Sequence, residues 1–152
     1  MVKVQKDDFN VADLYKDLCD NNQTGAVAIF IGRVRDFSHD STKISHDSSF
    51  ELEHYPGMTE HNLQQIVDEA HSRWDLHQVN VVHRVGELKV QDQIVFVGVS
   101  SSHRAEAFLA CDFVMDYLKS RAAFWKKETQ SGISKWVCAK EADETSLARW
   151  LK

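Results

Sequence analysis

The 152-residue chain predicts an α+β fold, with helices laid on a mostly antiparallel sheet. Three observations carry that expectation. Apolar residues recur at helical spacing in four stretches and at strand spacing in five others, in the order α-β-β-α-β-β-α-β-α. The links between paired strands are short, which suits hairpins better than the long crossovers of a parallel sheet. No internal repeat, low-complexity tract or linker interrupts the pattern, so one domain over 1–152 is expected.

Asn10 caps a short helix whose apolar face is Val11, Leu14, Tyr15 and Leu18. Residues 25–34 read as a strand, Ala-Val-Ala-Ile-Phe-Ile with a glycine at each end, apolar on both faces and therefore central. It runs out into Arg33-Val34-Arg35, where alternation aims two fixed cations the same way, although an ordinary charged strand end looks no different. Residues 36–49 are polar and without periodicity, and a loop of that length beside Arg35 suits a mobile flap over a site. A strand resumes at 50–55 and ends in the Pro56-Gly57 turn. Thr59 then caps a helix with Leu63, Ile66, Val67, Ala70 and Trp74 on one face. Strands at about 78–85 and 93–100 follow, joined around Gly86 to Gln91.

The second of these strands feeds a helix with Ser101 and Ser102 as candidate caps. Phe108, Cys111, Met115 and Leu118 form one stripe of that helix, with Lys119 at its edge. A lysine there has two readings. Its stem covers apolar surface while the ammonium stays in water, or the amine is held partly out of water and becomes a usable base or nucleophile. His103 and Arg104 lie in the first turn, where unpaired N–H groups and the helix dipole make an anion site. Arg104 is locally unfavourable there unless an anion or acid compensates it. Were the helix to continue past Trp125, Lys126 would share a face with Lys119; the sequence leaves its end open. A turn at Gly132, a strand through Lys135–Cys138 and a last helix capped near Asp143, carrying Leu147, Trp150 and Leu151, complete the chain.

Composition narrows the function. The chain is 43% apolar and 27% charged, and no apolar run approaches the roughly 20 residues of a membrane span. The N-terminus has no signal-type hydrophobic region, so cytoplasmic residence is expected. Three cysteines, Cys19, Cys111 and Cys138, without C-x-x-C spacing argue against a disulfide framework or a zinc ribbon. Eight histidines lack metal-ligand spacing, and no phosphate-binding glycine loop or nucleophile elbow occurs. A net charge of −5 disfavours nucleic acid as partner. Arg33, Arg35, Arg104, Lys119, Lys126 and Lys127 nevertheless concentrate positive charge in a few motifs, which suits a small anionic ligand.

Those motifs are Gly25-Ala-Val-Ala-Ile-Phe-Ile-Gly-Arg-Val-Arg35, Leu52-Glu-His-Tyr-Pro-Gly-Met-Thr59, His83-Arg-Val-Gly-Glu-Leu88, Ser102-His-Arg104, and Asp116-Tyr-Leu-Lys119 through Trp125-Lys-Lys-Glu128. In this order, and over most of residues 25–140, the chain resembles the large, catalytic subunit of molybdopterin synthase, the MoaE family. The resemblance implies an α/β-hammerhead-like fold with a second small antiparallel subdomain. It implies a sulfurtransferase of molybdenum cofactor biosynthesis, which converts cyclic pyranopterin monophosphate (precursor Z) to molybdopterin by inserting two dithiolene sulfurs. The sulfur would arrive as a thiocarboxylate on the C-terminal Gly-Gly tail of a small ubiquitin-like subunit, and the chain would form a dimer within a heterotetramer. No cofactor, metal, nucleic acid or membrane is implied.

Carried over residue by residue, Lys119 and Lys126 are the catalytic lysines. Arg33, Val34, Arg35, His103 and Arg104 hold the pterin phosphate and shape the pocket, and Lys127 and Glu128 complete its wall. Three positions depart from the family pattern: Ala122-Ala123 where Ala-Pro is expected, Lys140 where an arginine is common, and a loop 36–49 without glycine. Two other readings stand beside this one, a non-catalytic pterin-binding or scaffold subunit and a sulfurtransferase carrying persulfide on Cys111. For Cys111 the position on the apolar stripe favours a small buried hydrophobe.

Overall fold

The computed structural model describes residues 1–36, 49–137 and 145–151. Its elements are β1 (Val2–Gln5), α1 (Val11–Leu18), β2 (Ala26–Arg33), β3 (Ser49–His54), α2 (Met58–Arg73), β4 (Leu76–Arg84), β5 (Gly86–Leu88), β6 (Gln93–Ser101), α3 (Arg104–Arg121), β7 (Phe124–Gln130) and β8 (Ile133–Val137), with a 3₁₀ turn at Ala148–Trp150. They build two four-stranded sheets, ordered β1-β4-β6-β2 and β5-β3-β7-β8. Every pairing is antiparallel except β1 with β4. The α+β expectation holds, and so does the second antiparallel sheet.

The first sheet is sandwiched between helices, and strand alternation divides its side chains. Val81, Val97 and Val99 face α2 and α3 and join Leu63, Ile66, Ala70, Phe113 and Tyr117 in the main core. Val82 and Phe96 face the other way, onto Phe9 and Leu18 beside α1. Burial on both faces is why β6 reads as a near-continuous apolar run from Ile94 to Val99. Each fully buried Val, Leu or Phe side chain contributes about 1.5–3 kcal/mol against the entropy of ordering it. The second sheet closes over a smaller core of Val34, Phe50, Leu52 and Leu88. Phe124 packs against both cores and so joins the two sheets.

Several boundaries differ from the expectation, each for a physical reason. β2 is an edge strand, not a central one; it reads apolar on both sides because α1 and α3 cover its two faces. β1 and β5 are additional strands, too short to show periodicity and held by pairing to β4 and β3. α2 starts two residues early, capped at a Gly57 with φ +86° whose N–H donates to Glu60 Oε2 at 2.7 Å. Thr59 is not the cap. Its hydroxyl donates to Ala123 O at 2.9 Å and accepts from Tyr55 N at 3.0 Å, a tertiary use that outcompetes local capping. α3 begins with His103 at the cap position instead of Ser101 or Ser102. It stops at Arg121, where Ala122 turns extended (ψ 131°), and the chain continues as β7. The flap (36–49) lies almost wholly outside the described residues, as do Cys138, Lys140 and the cap at Asp143.

Candidate active site

α3 from Phe108 to Lys119 and the edge strand β2 enclose an open groove of about 430 Å³. Ile29 and Phe30 line one side, Phe108, Cys111 and Met115 the other, and Lys119 stands at the rim. The expected helical stripe therefore splits. Cys111, Met115 and Leu118 are buried, whereas Phe108 is 65% exposed on the groove's lip. Lys119 is exposed as well, so the chain by itself does not supply the desolvation that an activated amine requires. Arg149 fastens the end of the chain beside the groove, with Nη2 2.8 Å from Asp112 Oδ2 and 2.6 Å from Asp116 Oδ2. The Trp150 indole N–H donates to the same Asp116 oxygen at 2.7 Å.

Lys126 comes from the other sheet. On β7 it stands opposite Leu52, on the face that also carries Phe50. Its Nζ lies 3.0 Å from Glu128 Oε1 and 4.8 Å from the centroid of the Phe50 ring. Residues i and i+2 of a strand share a face, which is why Glu128 can pair with Lys126. Lys127 points to the opposite face, with Nζ 5.8 Å from the Trp136 ring. The structure thus brings Lys126 and Glu128 together and turns Lys127 away from them.

The arginines end β2. Arg33 is exposed and its Nε donates to Gln91 O at 3.0 Å. Val34 is buried in the smaller core, bonded to Asp92 O through its N–H and to Gln91 N through its carbonyl, at 2.9 and 2.7 Å. Arg35 is exposed again. Val34 is therefore the anchor that seats two cations, and its own side chain is out of reach of a ligand.

His103 and Arg104 are exposed at the α3 N-terminus. Ser101 Oγ sits beneath them, accepting from His103 N at 3.4 Å and lying 2.9 Å from Glu106 Oε2, and Ser102 Oγ is 3.2 Å from His77 Nε2. Glu106 puts an acid in the first turn, which offsets the charge of Arg104 near the positive helix end. Arg104 and Lys119 lie fifteen residues apart on one straight helix, about 22 Å. The chain does not bring those two groups together.

The one thiol in the groove is chemically quiet. Burial and the neighbouring Asp112 push Cys111 up to about 11, so at neutral pH it is a thiol and not a thiolate nucleophile. Among the described residues no group of three or more His, Cys, Asp or Glu side chains is arranged to hold a metal ion, and no helix is long and apolar enough to cross a membrane. Sequence reasoning missed the groove itself, because Ile29, Phe30 and Phe108 read as ordinary core. The position of Phe108 on the lysine side of the α3 wheel was the available signal.

Two sheets with helices packed on one of them, a strand end carrying two arginines, a helix end carrying His103 and Arg104, and two lysines beside apolar surfaces define an α+β protein whose cations gather in a few places. The particular family follows from comparison with known proteins. The model of the MoaE protein family matches residues 4–121. A molybdopterin synthase catalytic subunit of Vibrio cholerae is 49% identical over 149 residues, covering 98% of this chain and 97% of that one. The solved MoaE protein of Burkholderia ambifaria superposes with a TM-score of 0.82 at 46% identity, covering 99% and 98% of the two chains. Molybdopterin synthase of Staphylococcus aureus gives 0.79 at 32%, covering 89% and 95%. The chain belongs to the MoaE family, and its activity is that of a molybdopterin synthase catalytic subunit, in molybdenum cofactor biosynthesis.

Proposed function

We propose that the chain inserts two sulfurs into precursor Z, taking each from the thiocarboxylated Gly-Gly tail of a small ubiquitin-like subunit, two tails being used in turn. The observation that carries this reading is the pairing of an amine-rimmed groove with a cysteine whose thiol is held neutral. A sulfur-transfer site without a usable thiolate of its own must receive sulfur from another molecule. Lys119 and Lys126 act on the reacting centre, moving protons and stabilising developing negative charge. Arg33, Arg35, His103 and Arg104 hold the pterin phosphate, and Glu128 orients Lys126.

Self-association belongs to the same reading. A separation of about 22 Å between Arg104 and Lys119 exceeds what one small pterin spans. Two α3 helices laid antiparallel about a dyad near residues 111 and 112 bring Arg104 of one copy against Lys119 of the other. The exposed Phe108, with Phe30 and Ile29 beside it, is the apolar surface such a contact covers. Covering it also removes water from around Lys119.

Incubating the purified chain with precursor Z and thiocarboxylated small subunit, and assaying molybdopterin, tests this directly. Product is expected from the wild type, and Lys119→Ala is expected to lower turnover about 100-fold, the scale of losing a positioned acid–base group. Near-normal turnover in Lys119→Ala removes that role. No product from a folded wild type that binds the small subunit favours a scaffold subunit.

A further inference from the structure

The two lysines read as catalytic stand on different sheets. Lys119 is on α3, which packs against the first sheet, and Lys126 is on β7 in the second. Their mutual placement therefore depends on the joint between the sheets, and the joint is specific. Phe124, the first residue of β7, stacks its ring on the imidazole of His83 from β4, with centroids 3.8 Å apart and planes 19° from parallel. His83 is 5% exposed, and its Nδ1 is 2.8 Å from Arg84 O, a bond that fixes the ring's orientation. Beside the stack, the Thr59 hydroxyl holds Ala123 O at 2.9 Å, and Phe124 pairs with His54 in the β3–β7 ladder. Burial pushes the imidazole down to about 4, so at neutral pH it presents an uncharged aromatic face.

We infer that His83 is a positioning residue for the reaction: through the ring of Phe124 it sets where β7 begins against the first sheet, and so where Lys126 stands relative to Lys119. Lys126 is two residues beyond Phe124, about 6.6 Å along the strand, so a shift of the stack passes to it almost undiminished. An ångström of misplacement at a reacting group costs about 100-fold in rate. The inference rests on the reading of Lys119 and Lys126 as the catalytic pair.

The test uses the full chain with precursor Z and thiocarboxylated small subunit, scoring His83→Ala, Phe124→Leu, their double variant, His83→Phe and Lys126→Ala. Hydrogen exchange of amides 124–130 is read in parallel on each. His83→Ala and Phe124→Leu are expected to lower kcat about 10- to 100-fold with KM changed less than about threefold. The double variant should be no worse than the poorer single, because one stack is lost either way. His83→Phe, which keeps a ring in the stack, should recover most of kcat, and exchange over 124–130 should accelerate in His83→Ala alone of the two. Unchanged kcat with wild-type exchange in His83→Ala, or losses that multiply in the double variant, would overturn the inference. Should His83→Ala fail to fold, an unchanged kcat in folded Phe124→Leu overturns it equally. Full turnover by Lys126→Ala with fast exchange in His83→Ala instead locates the failure in the catalytic pair.

Discussion

Acid should loosen this protein through one histidine. His83 is buried between the sheets, and burial lowers it from an ordinary 6.5 to about 4. Unfolded, the same imidazole takes up a proton at about 6.5, so between these values the unfolded chain binds more protons than the folded one. Stability attributable to His83 is then complete above pH 6.5 and falls as pH drops toward 4. The drop from 6.5 to about 4 sets the full loss at about 3 kcal/mol. At pH 5 about 2 kcal/mol should already be gone, a large share of the 5–15 kcal/mol typical of a folded domain. Urea unfolding of wild type and His83→Phe at pH 7 and pH 5 isolates the contribution, since every other titrating group is common to both. The wild type should lose about 2 kcal/mol more than the variant over that interval. Parallel losses in the two proteins would refute the reasoning, because they would mean that His83 protonates as readily folded as unfolded.

Other outcomes follow from the site. Arg104→Ala should weaken precursor Z binding with a smaller effect on kcat, measured by titration; unchanged affinity would move the phosphate elsewhere. Cys111→Ser should keep turnover within a few-fold, since its thiol is held neutral, and loss of activity in a folded variant would revive a persulfide route. Phe108→Glu puts a charge on the exposed lip of the groove and should shift the chain toward monomer in sedimentation while its urea midpoint barely changes. An unaltered oligomeric state would place self-association on another surface.

The parts of the fold legible in the sequence are those in which one periodicity runs long enough to be unambiguous. β6 is a near-continuous apolar run from Ile94 to Val99 because both its faces are buried, and α2 shows a clean stripe from Leu63 to Ala70. β7 was illegible for the opposite reason. Phe-Trp-Lys-Lys-Glu-Thr-Gln places Lys126 and Glu128 on its inner face and Trp125 on its outer one, so hydrophobic alternation points the wrong way. Only pairing with β3 and β8 holds it extended. The site residues were legible as types and as motifs, but their grouping was not. Nothing in the spacing of Arg104 and Lys119 says that one helix keeps them about 22 Å apart, and nothing around Lys127 says that it faces Trp136 instead of Lys126.

That division explains an active site built from ordinary parts. A lysine on a helix rim and another on a strand pair are each unremarkable in isolation, and neither sits in a ready-made desolvated pocket within one chain. On the proposed reading, their chemistry comes from being brought together and covered. The sheet joint at His83 and Phe124 handles the first requirement inside the chain. The second falls, on the same reading, to a second copy of the chain laid over the apolar groove beside Phe108. On that proposed reading, a chain assembled this way has little reason to act before its partner and substrate arrive.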